Sequence, residues 1–185
     1  KTAEMRRTEP ETGRTIIDRK PHWYALYTQS RHEKKVAEKF LEQGIEHYLP
    51  FQKVLKLWSD RKKWVEEPVF KSYIFVHIGL KDYYRVLQTE GVAGFVRFGL
   101  FPEVIQDKII ENIRLVLSSD EKFEISEEKF EEGDEVQVIY GPLSGVYGRL
   151  IKVQGRHKLI INVEVLNRSI IVNVAKKHVK KVSAV

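Results

Sequence analysis

Lys71-Ser72-Tyr73-Ile74-Phe75-Val76-His77-Ile78 is the stretch on which the fold turns. Read as a strand, its side chains alternate, so Tyr73, Phe75 and His77 share one face while Ile74, Val76 and Ile78 share the other. The β-branched face suits a packed core. The aromatic face needs either a second layer of protein or a ligand that accepts flat rings.

Upstream, residues 23–29 read as another strand, and residues 31–43 as a helix with the apolar stripe Val36, Ala37, Phe40 and Leu41, closed by Gly44. Residues 45–49 return to extended structure. Residues 51–58 and 62–69 flank the turn-like Ser59-Asp60-Arg61 and predict a β-ribbon, punctuated by Pro50 and Pro68. Downstream come a short helix near 82–88, a strand over 92–98, and a helix over 107–117 with Ile109, Ile110, Ile113, Val116 and Leu117 on one side. The order is β-α-β-ribbon-β-α-β-α. It predicts an α+β, RRM-like domain: an antiparallel sheet with helices on one face and the other face open.

The chain has 185 residues, 42% of them hydrophobic, enough for one large domain or two small ones. Its formal charge of +6 is segregated: 118–132 is acidic, whereas 31–39, 53–63 and 149–181 are basic. A basic balance favours polyanionic partners. The acidic stretch has sparse apolar residues and reads as a linker over 118–129. Beyond it Val136, Val138 and Tyr140 alternate, as do Leu159, Ile161, Val163 and Val165, then Ile170, Val172 and Val174. Short strands of this kind predict a small all-β barrel. The expected division is a flexible leader at 1–20, a first domain at 21–117, the linker, and a second domain at 130–185.

No run approaches the roughly 18 apolar residues of a membrane helix, and the N-terminal residues lack the apolar centre of a signal peptide. A cytoplasmic, soluble monomer is expected. The chain has no cysteine, which excludes disulfides, thiolate metal sites and a cysteine nucleophile. Its six histidines, at 22, 32, 47, 77, 157 and 178, fall in no nucleophile motif, metal spacing or phosphate loop. Neither an enzyme nor a cofactor is expected.

Residues 130–153, FEEGDEVQVIYGPLSGVYGRLIKV, resemble the KOW motif, with glycines where a small barrel needs tight turns or close backbone approach. Trp23-Tyr24-Ala25-Leu26-Tyr27-Thr28, the helix with Glu33 and Val36, Tyr48-Leu49-Pro50 and the segment 70–76 resemble the N-terminal domain of bacterial NusG, with the KOW domain following in order. The likeness covers nearly everything from Trp23 to Val182. Within that family, Ser59 to Trp64 and Gly94 to Gly99 look most like the specialised UpxY/RfaH-like paralogs that antiterminate long capsular polysaccharide operons.

The resemblance implies a transcription elongation and antitermination factor that docks on the clamp helices of the RNA polymerase β′ subunit and suppresses pausing. The residues matching the family's docking surface are Phe70 and Tyr73, with Trp23, Tyr24 and Tyr27 on the neighbouring strand. The family usually has proline where this chain has Lys71, so the lead into the strand is expected to be looser. The KOW domain would contact a ribosomal protein or a termination factor through Val165, Leu166 and Arg168, or Val165 would be core. One subfamily refolds this domain as a helical hairpin; the strand alternation here favours the barrel.

His32, Lys35 and Lys39 lie at helical spacing on one face and, with Arg31, could engage the non-template DNA strand, or form a solvated face in which Glu33 and Glu38 make local pairs. On the ribbon, Arg61, Lys62 and Lys63, with Lys53 and Lys56, could touch phosphates without reading sequence. A housekeeping NusG-type factor is one alternative. Another is a single-stranded RNA-binding module, because residues 71–78 match the RRM signature at Lys71, Tyr73, Phe75 and Val76 but not at Ser72, Ile74 or Ile78.

Overall fold

The structure, a computed structural model, describes residues 20–127 and 130–182. Apart from Lys20, the expected leader lies outside them. The first unit comprises β1 (His22–Thr28), α1 (Glu33–Glu42), β2 (His47–Tyr48), β3 (Phe51–Leu57), β4 (Lys62–Pro68), β5 (Tyr73–Ile78), α2 (Tyr83–Leu87), β6 (Val92–Phe95), β7 (Arg97–Phe98), β8 (Phe101–Pro102), β9 (Val104–Ile105) and α3 (Asp107–Ser118). Its sheet runs β2-β5-β1-β6, with β9 also paired to β1, and every pairing is antiparallel. The β3–β4 ribbon and the short β7–β8 hairpin stand off this sheet. The strand expected over 92–98 therefore ends early. Its chain reverses at Gly99, whose φ of 76° glycine adopts freely.

The two faces of β5 enter two different cores. Ile74, Val76 and Ile78 join Tyr24 and Leu26 of β1 beneath Val36 and Phe40 of α1 and Val86 of α2. Phe75 joins Trp23 and Ala25 against Ile110, Ile113 and Val116 of α3. This corrects the expectation that all helices share one face. The amphipathic stripe of α3 shows that it must cover something, and the aromatic face of the sheet is what it covers. Phe40 and Phe75 are fully buried, one in each core. Burial of each contributes about 1.5–3 kcal/mol, so the sheet is held from both sides.

In α1 the buried pair is Val36 and Phe40, four residues apart, whereas Leu41 is 75% exposed and leaves the expected stripe. The helix ends as predicted at Gly44 (φ 66°): the Gly44 N–H donates to the Leu41 carbonyl and the Ile45 N–H to the Phe40 carbonyl. These two bonds satisfy carbonyls that the helix end would otherwise orphan.

The second unit is all-β: β10 (Phe123–Ser126), β11 (Asp134–Val138), β12 (Tyr147–Val153), β13 (Arg156–Val163), β14 (Arg168–Asn173) and β15 (Val179–Lys181), in the antiparallel order β10-β14-β13-β12-β11-β15. Its core is built from Val136, Val138, Leu159, Ile161, Val163, Ile170 and Val172. Part of the expected linker belongs to this sheet. Phe123 and Ile125 pair opposite Val172 and Ile170 and pack on that core, although charged neighbours hide them in the sequence.

The two units share one apolar cluster, which runs from the aromatic sheet face through α3 into the all-β unit. Asn112 ties them with a pair of bonds. Its amide donates to the Tyr147 carbonyl at 2.9 Å, and its carbonyl oxygen accepts from the Tyr147 N–H at 3.0 Å.

Candidate docking and nucleic-acid surfaces

Alternation along β1 puts Trp23, Ala25 and Tyr27 on the same side as Tyr73 and Phe75 of β5. Phe70 is buried and meets Phe75 edge-on, with ring centroids 6.0 Å apart. Tyr73 is half-buried against Tyr27 at 5.0 Å, and Tyr27 is 42% exposed. Trp23 is buried, stacked on His77 at 5.0 Å with the Arg114 guanidinium 5.4 Å above its ring. Tyr24 points to the opposite face, buried and edge-on to Phe95 at 5.9 Å, so among the five candidates it alone belongs to the core under α1 and α2. The surface end of the aromatic face is thus the Tyr27–Tyr73 pair. Burial raises the Tyr73 pKa, Tyr27 adds to the rise, and Arg168 pulls it down.

The lead into β5 is held despite the missing proline. The Tyr73 N–H bonds the Phe70 carbonyl across a tight turn in which Ser72 sits at φ 64°. Few non-glycine residues adopt that conformation. The Glu33 carboxylate, buried under the turn, accepts the Ser72 N–H at 2.7 Å. Glu33 is therefore a brace for the aromatic strand and not a member of a solvated charged face. Sequence reasoning missed this role because the two residues lie 39 positions apart.

Of the basic candidates on α1, Arg31 and Lys35 are exposed, and Arg31 has φ 62° in the turn before the helix. His32 occupies the N-cap position, with its ring Nδ1 3.0 Å from the Ser30 carbonyl. Lys39 is ion-paired to Glu90. That hydrogen bond, reinforced by the charges of Lys39, Lys35 and His32, lowers the Glu90 pKa. Glu90 thus pairs directly with one of the four predicted basic residues, Lys39. Arg61, Lys62 and Lys63 sit on a different element, exposed at the ribbon's end.

Val165 and Leu166 form a short helical turn followed by Asn167 at φ 50°, and both are buried within the shared cluster. Arg168 bonds Glu127 at 3.2 Å and lies close enough to Tyr73 to influence its ionisation. The candidate rim of the second domain and the candidate docking face of the first therefore meet along one seam. Beside it, a cleft of about 790 Å³ opens between β9–α3 and β11–β13. Asn112 and Arg114 were not singled out from sequence, although a polar residue between Ile109 and Ile113 on an apolar helix signals a buried partner.

Fold and surfaces define a helix-and-sheet domain followed by an all-β domain, with an aromatic seam between them. The family model described as transcription termination factor nusG matches residues 21–114, about half of the chain. The chain belongs to the NusG family. It is 28% identical over 153 residues to the transcription termination/antitermination protein NusG of Streptococcus pyogenes, covering 76% of this chain and 86% of that one. The Rickettsia conorii protein of the same description is 25% identical over 171 residues, covering 86% and 89%. A solved structure concerning domain interaction in Thermotoga maritima NusG is 26% identical with a TM-score of 0.48, covering 89% of this chain and 98% of that one.

Proposed function

We propose that this chain is a cytoplasmic antitermination factor that docks on the clamp helices of RNA polymerase and promotes processive transcription, specialised for long polysaccharide operons. Family membership supports the transcriptional role. The observation that favours docking through the sheet is the surface pair Tyr27 and Tyr73, backed from within by the buried Phe70 and Phe75. Large rings bury much area at little entropic cost, the usual composition of an interface hot spot. The polysaccharide specialisation is supported by the likeness of Ser59 to Trp64 and Gly94 to Gly99 to those paralogs. The exposed Arg31 and Lys35, with the ribbon cations, would lie toward the non-template strand. The barrel rim at Val165, Leu166 and Arg168 would take a ribosomal protein or termination factor once uncovered.

The RNA-module reading is weaker. Phe75 is fully buried, so a base has no exposed ring there on which to stack. Co-purification with cognate RNA polymerase tests the docking proposal: wild type should be retained, and Tyr73→Ala should weaken binding by about tenfold, an ordinary hot-spot loss. Failure of both wild type and the interface variant Asn112→Ala to bind polymerase would sink it.

A further inference from the structure

The β3–β4 ribbon stands off both cores and ends in an unusual surface. Leu57 is 77% exposed, Trp64 65%, Trp58 55% and Leu55 45%. Leu55 lies opposite Trp64 and Leu57 opposite Lys62, so these four share one face. The Trp58 N–H bonds the Arg61 carbonyl at 2.8 Å, which continues the pairing and places Trp58 with Lys56 and Lys63 on the other face. Each face of the ribbon's end therefore carries one indole and at least one lysine. Over residues 55–64, Lys56, Arg61, Lys62 and Lys63 oppose the single carboxylate of Asp60.

Neither feature helps the isolated fold. Lys56 and Lys63 face each other directly across the ladder, and like charges so placed are destabilising. Lys56 reaches back to Glu67, which leaves the terminal positive charge to Arg61, Lys62 and Lys63. Exposed indoles beside unbalanced cations match the way proteins hold single-stranded nucleic acid: bases stack on rings while lysines and arginines follow the phosphates. Within a duplex the faces of the bases are already stacked, so rings of this kind favour unpaired bases.

We infer that the end of the β3–β4 ribbon is a binding site for an unpaired nucleic-acid strand, with Trp58 and Trp64 as stacking platforms and Arg61, Lys62 and Lys63 as phosphate contacts. This deepens the nucleic-acid part of the proposed function and rests on it for the cellular setting. Its test needs no polymerase.

The chain has three tryptophans, and the third, Trp23, is buried under α3. Quenching of indole emission by a bound strand therefore reports on the ribbon. The full chain is titrated at low salt with dT and U oligomers of about 12 nucleotides, within the usual range of site sizes. Quenching and salt-sensitive binding are expected, and the tighter oligomer shows whether the strand is DNA or RNA. Trp58→Leu and Trp64→Leu should each weaken binding by roughly tenfold, and Lys62→Ala with Lys63→Ala should reduce the slope of log affinity on log salt by about 1–2. The inference is overturned if the double tryptophan variant binds as well as wild type, or if a duplex of the same length binds equally. It is also overturned if phosphatidylglycerol vesicles quench the indoles while the oligomers do not. Oligomer binding with no polymerase binding by either wild type or Asn112→Ala would remove the docking proposal and leave this one standing, and the converse result would do the reverse.

Discussion

Tyr48 shows how a single side chain links the sheet to α3. Its ring stacks on Phe75 at 6.3 Å, and the Arg114 guanidinium lies 5.1 Å above it, the same group that covers Trp23. A cation over two rings contributes about 0.5–2 kcal/mol, depending on how far it is desolvated. Burial dominates the ionisation of the Tyr48 hydroxyl and pushes its pKa from 10.0 up to about 12, against the opposing pull of Arg114. The folded protein therefore holds this proton where the unfolded chain releases it. The resulting stability is fully present below pH 10, falls as pH rises above 10, and is gone by about pH 12. Thermal melts between pH 10 and 12 should show a decline in wild type that is shallower in Tyr48→Phe, and parallel declines would refute the assignment.

At the scale of elements, the second domain depends on how closely β12 approaches β13. A Cβ added at Gly148 would lie 2.5 Å from the Ile160 carbonyl oxygen, a backbone atom fixed by the ladder. Gly148→Ala should destabilise the protein by about 1–3 kcal/mol, the usual range for overpacking, measured as a lower denaturation midpoint with unchanged slope. A neutral effect would mean that the strands separate without cost.

This glycine was legible because the KOW-like pattern concentrates glycine where backbones approach, as were α1 with its Gly44 stop and the alternation of β5. Three features were not. The side of the sheet that α3 covers cannot be read from an amphipathic stripe, because a stripe identifies a buried face without identifying its neighbour. Strand β10 was hidden because Glu124 and its acidic neighbours suggest a solvated linker, while pairing to β14 comes from residues more than forty positions away. The candidate site was legible as residue types but not as burial: Tyr24 and Tyr27 are three positions apart yet point to opposite faces of the sheet, whereas Phe70 and Trp23 are buried in a cluster whose other members include α3 and the second unit, more than thirty residues further along the chain.

For the whole molecule, the consequence is competition. The aromatic face proposed for polymerase and the rim proposed for the second domain's partner share one seam, so neither is available while the other covers it. A ligand that binds only the open arrangement has its apparent affinity reduced by the fraction of molecules that are open. Asn112 is the test position, since its side chain is buried at the seam and makes both bonds to Tyr147 across it. In Asn112→Ala the Tyr147 N–H and carbonyl lose their partners, which costs the closed state about 1–3 kcal/mol, whereas the open state hydrates them freely. Small-angle scattering should then show a larger radius of gyration. Polymerase affinity should rise by about 5- to 150-fold at most, the factor that this free energy represents. Each domain should keep its own melting transition, because Asn112 lies outside the internal core of either sheet. Expansion in solution with unchanged polymerase affinity would show that the polymerase does not use the covered face.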